Sequence, residues 1–258
     1  MDSQIMQKVV NVSRLFHRNT FSRLSDLLYP PCCAHCHIHT GSHRALCPSC
    51  WSEIRFIERP FCDVLGTPFA YDEGEGAVSP EAIANPPAFD RLRSATVHDG
   101  VARHLVHALK YRDRTDLAPM MASWMARAAR AELHAADAII PVPLHRLRMF
   151  RRMFNQSAEL GRHLAMATDR AFLPEALIRR KRTEQQIGLT ANARALNVRN
   201  AFLVPEGRED LVFGRRLVLV DDVYTTGATV NAAAKALRRA GAADITVLTF
   251  ARALGQPI

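Results

Sequence analysis

Short apolar runs alternate with longer amphipathic stretches along the chain from about residue 93 onward. Four runs have the length and composition of buried strands: Ser94–His98, Asp137–Val142, Leu217–Asp221 and Asp244–Phe250. Four stretches with apolar residues at helical spacing are expected to form helices: Gly100–Tyr111, Leu117–Ala135, Asn155–Ala167 and Thr229–Ala240. Because strands and helices alternate, the pattern predicts an α/β fold, a parallel sheet flanked by helices on both faces. No internal repeat is evident.

The first third of the chain follows a different pattern. Residues 1–26 are expected to form a leader helix, residues 27–70 a cysteine-containing module and residues 71–92 a polar linker, leaving 93–258 for the α/β domain. No run approaches the roughly 18 apolar residues of a membrane span, and the N-terminus lacks the apolar core of a signal peptide. All six cysteines lie at or before Cys62, which favours a local metal module in a reducing cytoplasm over a disulfide-stapled secreted protein.

A ligand site is predicted where the apolar run that begins at Leu217 ends. Asp221 and Asp222 follow this run, and open α/β sheets bind ligands at the carboxyl ends of their strands. The chain then turns into a helix through a polar loop: Thr225, Thr226, Gly227, Ala228 and Thr229. Such a loop can donate N–H and hydroxyl groups to a phosphate. Carboxylates beside a phosphate site suit vicinal hydroxyls or Mg²⁺, and a ribose 5-phosphate meets both demands. The alternative is an Asp pair that only caps the helix.

The cysteines predict a metal site. Cys33 and Cys36 form one Cys-x₂-Cys pair, Cys47 and Cys50 form another, and ten residues separate the pairs. Two such knuckles can hold four thiolates tetrahedrally around a structural Zn²⁺. The alternative, four ordinary buried cysteines, explains the paired spacing less well.

Several motifs together carry a family resemblance. The segment from Leu217 to Thr229 resembles the motif with which type I phosphoribosyltransferases bind phosphoribosyl diphosphate (PRPP). Further stretches resemble the competence protein F (ComF) family: Leu109–Tyr111, Ile140–His145 with Arg148 and Arg152, Phe154–Ser157, and positions between Thr183 and Phe202. The resemblance implies a type I phosphoribosyltransferase-like parallel sheet with a small N-terminal zinc-ribbon module. It covers nearly the whole chain after residue 25.

The resemblance also implies roles for individual residues. Asp221 and Asp222 would hold the ribose hydroxyls, directly or through Mg²⁺, and would serve as the catalytic pair. The segment from Thr225 to Thr229 would hold the 5-phosphate. The diphosphate would face the loop with Pro143 and Leu144, and a flap would cover the site with Arg182, Thr183, Gln186 and Arg194.

A second zinc knuckle set is frequent in this family, and the chain retains only part of it. Cys62 remains, but Leu65 stands where a cysteine would complete Cys-x₂-Cys, and the segment that begins at Ser79 contains no cysteine. We therefore expect a degenerate second site without metal, in which Cys62 is a small packing residue.

Two functional hypotheses follow. The first is a phosphoribosyltransferase, a pentosyl-transferring glycosyltransferase, although no residue in the sequence stands out as a base for an acceptor. The second is a nucleic-acid-associated protein of DNA uptake in competence, because the net charge of +9 and the clustered arginines favour anionic partners such as single-stranded DNA. A third possibility is that the zinc ribbon docks a partner protein such as a competence helicase.

Overall fold

The computed structural model describes residues 29–144, 154–180 and 201–254. The chain forms two compact units, Met1–Trp51 and Ser52–Ile258. The leader helix predicted for residues 1–26 lies outside the described residues. The predicted domain boundaries stay predictions.

The second unit contains most of the secondary structure. Its strands are β1 Arg91–Val97, β2 Ala138–Pro141, β3 Ala171–Phe172, β4 Ile178–Arg179, β5 Phe202–Leu203, β6 Arg216–Tyr224 and β7 Asp244–Arg252. Helix α1, Pro48–Ser52, begins in the first unit and ends at the first residue of the second. The other helices belong to the second unit: α2 Pro80–Ala84, α3 Gly100–Tyr111, α4 Ala118–Ala128, α5 Arg130–Ala135, α6 Gln156–Thr168 and α7 Ala228–Arg239. Two short 3₁₀ turns occupy Thr115–Leu117 and Glu209–Leu211.

In the part of the chain that the structure describes, five strands form one parallel sheet in the order β1-β7-β6-β2-β3. Strand β6 is therefore central, with Val220 in register with Pro141 on one side and Leu248 on the other. Strands β4 and β5 pair separately and antiparallel. The parallel sheet with flanking helices confirms the predicted α/β fold class.

Alternate side chains of the central strands enter different layers of the core. Leu217 and Leu219 of β6 belong to a buried cluster with Val230 and other residues of α7, as expected for one face of a pleated strand. Helices α4 and α6 pack against each other, with α4 also contacting β1 and β7, and α6 contacting β2 and β6. The sheet is thus buried on both sides, which explains why its strands read as continuous apolar runs.

The segment between residues 52 and 92 packs into this same core. Cys62, Leu65 and Phe89 are members of the cluster that α7 shares with the sheet. Arg93, in the middle of β1, anchors the segment because its guanidinium pairs with Glu132 at 2.6 Å and donates to the carbonyl of Asp63 at 2.9 Å. Much of the predicted linker is therefore ordered structure within the second unit.

The sequence predicted most elements but missed some details. The single helix expected over 117–135 is interrupted at Ala129, whose φ of −125° and ψ of 35° are not helical. Helix α2 lies inside the predicted linker, where Ser79 accepts a hydrogen bond from the N–H of Ala82 and Pro80 occupies the first turn. Strands β3, β4 and β5 have two residues each, too few to leave a periodic pattern.

Candidate functional site

Strand β6 carries both predicted acidic residues near its carboxyl end. Asp221 is in register with Thr249 of β7, and Val220 is in register with Pro141, the last residue of β2. The carboxyl ends of neighbouring parallel strands therefore meet around the acidic pair, at the edge where such sheets bind ligands.

Asp221 is held by neutral donors. The hydroxyl of Ser157, at the start of α6, donates to Asp221 Oδ1 at 2.8 Å, and the backbone N–H of Asp222 donates to the same oxygen at 2.9 Å. Burial, with the adjacent charge of Asp222, raises the pKa of Asp221 to about 7. Asp221 can thus give up or hold a proton near neutral pH.

Asp222 is held by a cation that is not among the predicted site residues. Lys110, in the last turn of α3, places its Nζ 2.9 Å from Asp222 Oδ1. Burial alone would lower the pKa of Lys110, but attraction to Asp222 outweighs burial and raises it, so the ammonium is charged at neutral pH. In the sequence Lys110 stands in Leu109–Tyr111, one of the stretches that resemble the ComF family, but only tertiary structure shows which residue it meets.

A histidine also lies at this edge of the sheet. His98 directly follows β1, and its backbone N–H donates to the carbonyl of Arg252 at 2.7 Å. Burial, together with the positive charges of Lys110 and Arg103, lowers the pKa of His98, so the imidazole is neutral at pH 7. The positive charge beside the acidic pair therefore comes from Lys110 and not from His98.

The polar loop after β6 has the geometry that an anion site needs. Thr225 and Thr226 are exposed, and Gly227 adopts φ 71° and ψ −2° immediately before α7. A side chain at Gly227 would place its Cβ 2.5 Å from the hydroxyl oxygen of Tyr224. Glycine is thus required both by the left-handed backbone and by the close approach of Tyr224. Ala228 and Thr229 begin the helix, so its N-terminus opens at this loop.

The loop after β2 is fixed to the same edge. The N–H of Val142 extends the ladder to the carbonyl of Val220 at 2.9 Å, and Asn155 Nδ2 donates to the carbonyl of Val142 at 3.1 Å. Asn155 also caps α6, because its Oδ1 accepts the N–H of Ser157. Pro143 and Leu144 follow as half-buried residues. The cap of α6 therefore positions both the predicted diphosphate loop and the serine that binds Asp221.

The predicted flap lies outside the described residues. Arg182, Thr183, Gln186 and Arg194 fall in the gap between residues 180 and 201. The two ends of this gap are joined by the β4–β5 pair and by a hydrogen bond from the N–H of Arg180 to the carbonyl of Ala201 at 2.8 Å.

The four predicted zinc ligands come together in the first unit. The sulfur atoms of Cys33, Cys36, Cys47 and Cys50 all lie within 4.8 Å of one another, and Cys36 Sγ is 3.7 Å from Cys47 Sγ. A tetrahedral ZnS₄ centre with Zn–S bonds of about 2.3 Å requires sulfur atoms about 3.8 Å apart. Burial would raise the pKa of Cys33, but backbone N–H donors hold it at about 6, whereas burial and the neighbouring thiols raise the pKa of Cys50. The donor set fits a structural zinc, which would stabilise all four as thiolates.

Comparisons with known proteins identify both parts of the chain. Residues 24–81 match the family model of the double zinc ribbon domain, and residues 170–257 match that of the phosphoribosyl transferase domain. The chain is 32% identical to competence protein F of Haemophilus influenzae over 229 residues, which is 86% of this chain and 96% of that protein. This chain belongs to the competence protein F family. It is also 34% identical over 219 residues to the DNA utilization protein YhgH of Salmonella typhimurium, 83% of this chain and 92% of that protein.

The match to a double zinc ribbon implies a second ribbon in this member of the competence protein F family. In the first ribbon the N–H of Cys33 donates to the carbonyl of Ile38 at 2.8 Å, and the chain turns between them. The N–H of Cys62 donates to the carbonyl of Thr67 at 2.9 Å across a turn of the same length. The first knuckle is thus repeated at Cys62.

The second half of the ribbon repeats as well. The N–H of Cys47 donates to Cys33 Sγ at 3.3 Å, and the N–H of Ser79 donates to Cys62 Sγ at 3.2 Å. Cys47 and Ser79 each directly precede a short helix that begins with proline, α1 and α2 respectively. The expectation of no internal repeat was therefore wrong, because the repeat is kept in backbone hydrogen bonds rather than in side chains.

The repeat identifies what replaced each ligand. Positions equivalent to Cys36, Cys47 and Cys50 are occupied by Leu65, Ser79 and Ala82. All three are buried in the second unit, and the buried Arg252 donates to the carbonyl of Leu65. Core packing and this hydrogen bond therefore hold the second ribbon where a family member with four cysteines would use metal. Its metal-free state stays a prediction.

No helix in the described part of the chain combines the length and apolarity needed to cross a membrane.

Proposed function

We propose that this chain binds PRPP at the carboxyl end of β6 and that it transfers the phosphoribosyl group. The observation that carries the proposal is the order of groups along one short stretch. Two carboxylates, Asp221 and Asp222, follow the continuously buried residues Leu217–Val220 of the central strand, and the left-handed Gly227 then opens the N-terminus of α7. The match of residues 170–257 to the phosphoribosyl transferase domain supports the same site.

Each group has a defined task in the proposed reaction. The carboxylates accept hydrogen bonds from the ribose hydroxyls, and the N–H and hydroxyl groups of residues 225–229 bind the 5-phosphate. The bond between C1 of the ribose and the diphosphate breaks as a nucleophile attacks C1, and diphosphate leaves. Positive charge develops on the ribose ring in the transition state, where the adjacent carboxylates stabilise it.

Magnesium fits the proposed site in part. Mg²⁺ prefers oxygen ligands from one or two carboxylates together with phosphate oxygens of the substrate, and Asp221 and Asp222 offer such oxygens. One oxygen of Asp222 is already engaged by Lys110 at 2.9 Å. When bound, the metal would neutralise charge on the departing diphosphate. The loop with Pro143 and Leu144 is expected to face this half of the ligand.

Titration with PRPP and Mg²⁺, followed by calorimetry, tests the proposal. The double substitution Asp221→Asn/Asp222→Asn keeps the shape of both side chains but removes their charge, so two charge-assisted hydrogen bonds become neutral ones. We expect PRPP affinity to fall roughly 30-fold or more, since each such bond loses about 1 kcal/mol.

Asp244→Asn is the matched control, because Asp244 begins β7 and therefore lies at the amino-terminal end of the parallel strands, away from the acidic pair. It should leave PRPP affinity unchanged. Equal PRPP affinity in the native chain and the double variant would contradict the proposed role of the acidic pair.

The second candidate function is nucleic-acid binding. The relatives named competence protein F and DNA utilization protein favour it, as does the net charge of +9. A protein that neutralises several phosphates loses affinity steeply as salt rises. We expect single-stranded DNA to bind at low salt and to dissociate between about 50 and 200 mM salt, as measured by fluorescence anisotropy. Absence of any binding at low salt would remove this candidate.

A further inference from the structure

Lys110 is the charged group of the site that neither the predicted ligand residues nor the proposed reaction uses. It reaches the acidic pair from α3, an element separate from both the strand and the loop that carry the PRPP motif. Its side chain is 23% exposed and that of Asp222 is 11% exposed, so the pair is largely removed from water. Burying a charged side chain costs free energy unless an opposite charge or hydrogen bonds compensate the loss of water.

The two neighbouring carboxylates compensate the burial of Lys110. Asp221 and Asp222 are adjacent on one strand, and each disfavours the charge of the other. Ser157 and a backbone N–H give Asp221 hydrogen bonds but no positive charge. Lys110 acts electrostatically on both carboxylates, directly on Asp222 and at longer range on Asp221. Among the described residues, its ammonium is thus the counter-charge of the whole pair.

The contacts also leave acceptors available on both residues. Ser157 and the N–H of Asp222 both bind Oδ1 of Asp221, and Lys110 binds Oδ1 of Asp222. Within the described ranges, Oδ2 of each carboxylate makes no hydrogen bond or ion pair. Each aspartate therefore keeps one oxygen for a hydroxyl donor while its charge is already compensated.

We propose that Lys110 is a positioning residue that keeps the aspartate pair ready to accept ribose hydroxyls without a divalent cation. The inference rests on the proposed PRPP function and deepens it. The ribose 5-phosphate half of the ligand then binds through side chains and backbone alone, and the metal is needed only by the diphosphate half. The sequence motif does not contain this property, since Lys110 lies outside it.

Ribose 5-phosphate contains the ribose and the 5-phosphate of PRPP but no diphosphate, so its binding tests that half of the ligand alone. We expect its affinity for the native chain to be the same in Mg²⁺ and in EDTA. Lys110→Met should weaken ribose 5-phosphate binding in EDTA by at least about tenfold, because the carboxylates lose their counter-charge. Mg²⁺ should restore part of that loss. Lys110→Arg keeps the charge and should keep metal-independent binding. A purely structural role of the lysine stem predicts instead that Lys110→Met, which keeps most of the stem, binds ribose 5-phosphate like the native chain.

Arg91→Met is the matched control. It removes one positive charge from an ion pair of the same length, 2.9 Å to Asp244, at the start of β1. This variant should bind ribose 5-phosphate like the native chain, and thermal unfolding of every variant verifies that it is folded.

The outcomes separate this inference from the proposed function. If the native chain binds PRPP with Mg²⁺ but requires Mg²⁺ for ribose 5-phosphate, the proposed function stands and the role of Lys110 is wrong. Equal affinities of the native chain and Lys110→Met in EDTA would overturn it too. If the native chain binds neither compound under any condition, the proposed function fails and the inference fails with it.

Discussion

Replacement of Gly227 by valine is expected to abolish measurable PRPP binding while the rest of the second unit stays folded. Gly227 adopts φ 71°, where a residue with a side chain costs roughly 1–2 kcal/mol, and more if it is β-branched. Its new Cβ would also lie 2.5 Å from the hydroxyl oxygen of Tyr224, a buried ring packed edge-to-face on Phe89. Because Tyr224 cannot move without disturbing this core contact, the loop itself must shift.

A shifted loop loses its donors to the phosphate. Each hydrogen bond to a charged acceptor contributes roughly 1.5–3 kcal/mol, so loss of two weakens binding by roughly 100- to 20,000-fold. Isothermal titration with PRPP measures the loss.

Gly207→Val is the matched control for this substitution. Gly207 has a φ of 77°, and a Cβ added there would meet nothing within 4 Å, so this position carries the same backbone strain without the contact. The control should lose the free energy of unfolding that the backbone strain costs in both variants, and it should retain PRPP affinity. If both variants bind PRPP equally well, the loop at Gly227 does not form the phosphate site.

The sequence predicted this loop because its chemistry is local. The apolar run, the two acids and the glycine follow one another within β6 and the start of α7, and each leaves a signature of residue type. Helix Gly100–Tyr111 was likewise predicted with its observed bounds, since its apolar residues recur at helical spacing. Loops and helices whose formation depends on neighbouring residues in the sequence can therefore be predicted from the sequence.

The partners of the acidic residues could not be read in this way. Lys110 meets Asp222 only because folding brings α3 to β6, and Ser157 reaches Asp221 from α6. A lysine or serine at a helix end is ordinary in itself. Such contacts are set by the packing of three elements, and no single stretch of sequence records them.

The second ribbon was predicted only as a degenerate site, for the opposite reason. Its backbone turns and its amide-to-sulfur hydrogen bond match those of the first ribbon, but most side chains have changed. Only Cys62 keeps its identity. Its spacing to Leu65 predicts a lost knuckle, but Ser79 and Ala82 read as ordinary residues. A ribbon whose stability comes from burial no longer needs the residues by which a zinc ribbon is recognised.

Zinc removal is expected to unfold the first ribbon and leave the second intact. Structural zinc sites of this size contribute roughly 10–16 kcal/mol of apparent binding free energy at neutral pH, which is also folding free energy. Cys47→Ser removes one ligand, together with the sulfur that accepts the N–H of Cys50. Hydrogen exchange should show loss of protection at Cys33 and Cys50, while protection at Cys62, which lies in the core of the second unit, should persist. Loss of protection at both sites would contradict a metal-free second ribbon.

The number of zinc ions per chain tests the two ribbons separately. The native chain should contain about one zinc and Cys47→Ser about none, because four thiolates are needed for a closed structural site. The triple substitution Leu65→Cys/Ser79→Cys/Ala82→Cys restores a cysteine at each lost position beside Cys62 and should raise the content to about two. Leu65→Cys alone is the control and should stay at about one, since two thiolates do not complete a tetrahedron. Two zinc ions in the native chain would show that other residues bind metal in the second ribbon; one in the triple variant would show that its backbone has moved too far from ribbon geometry to hold the ion.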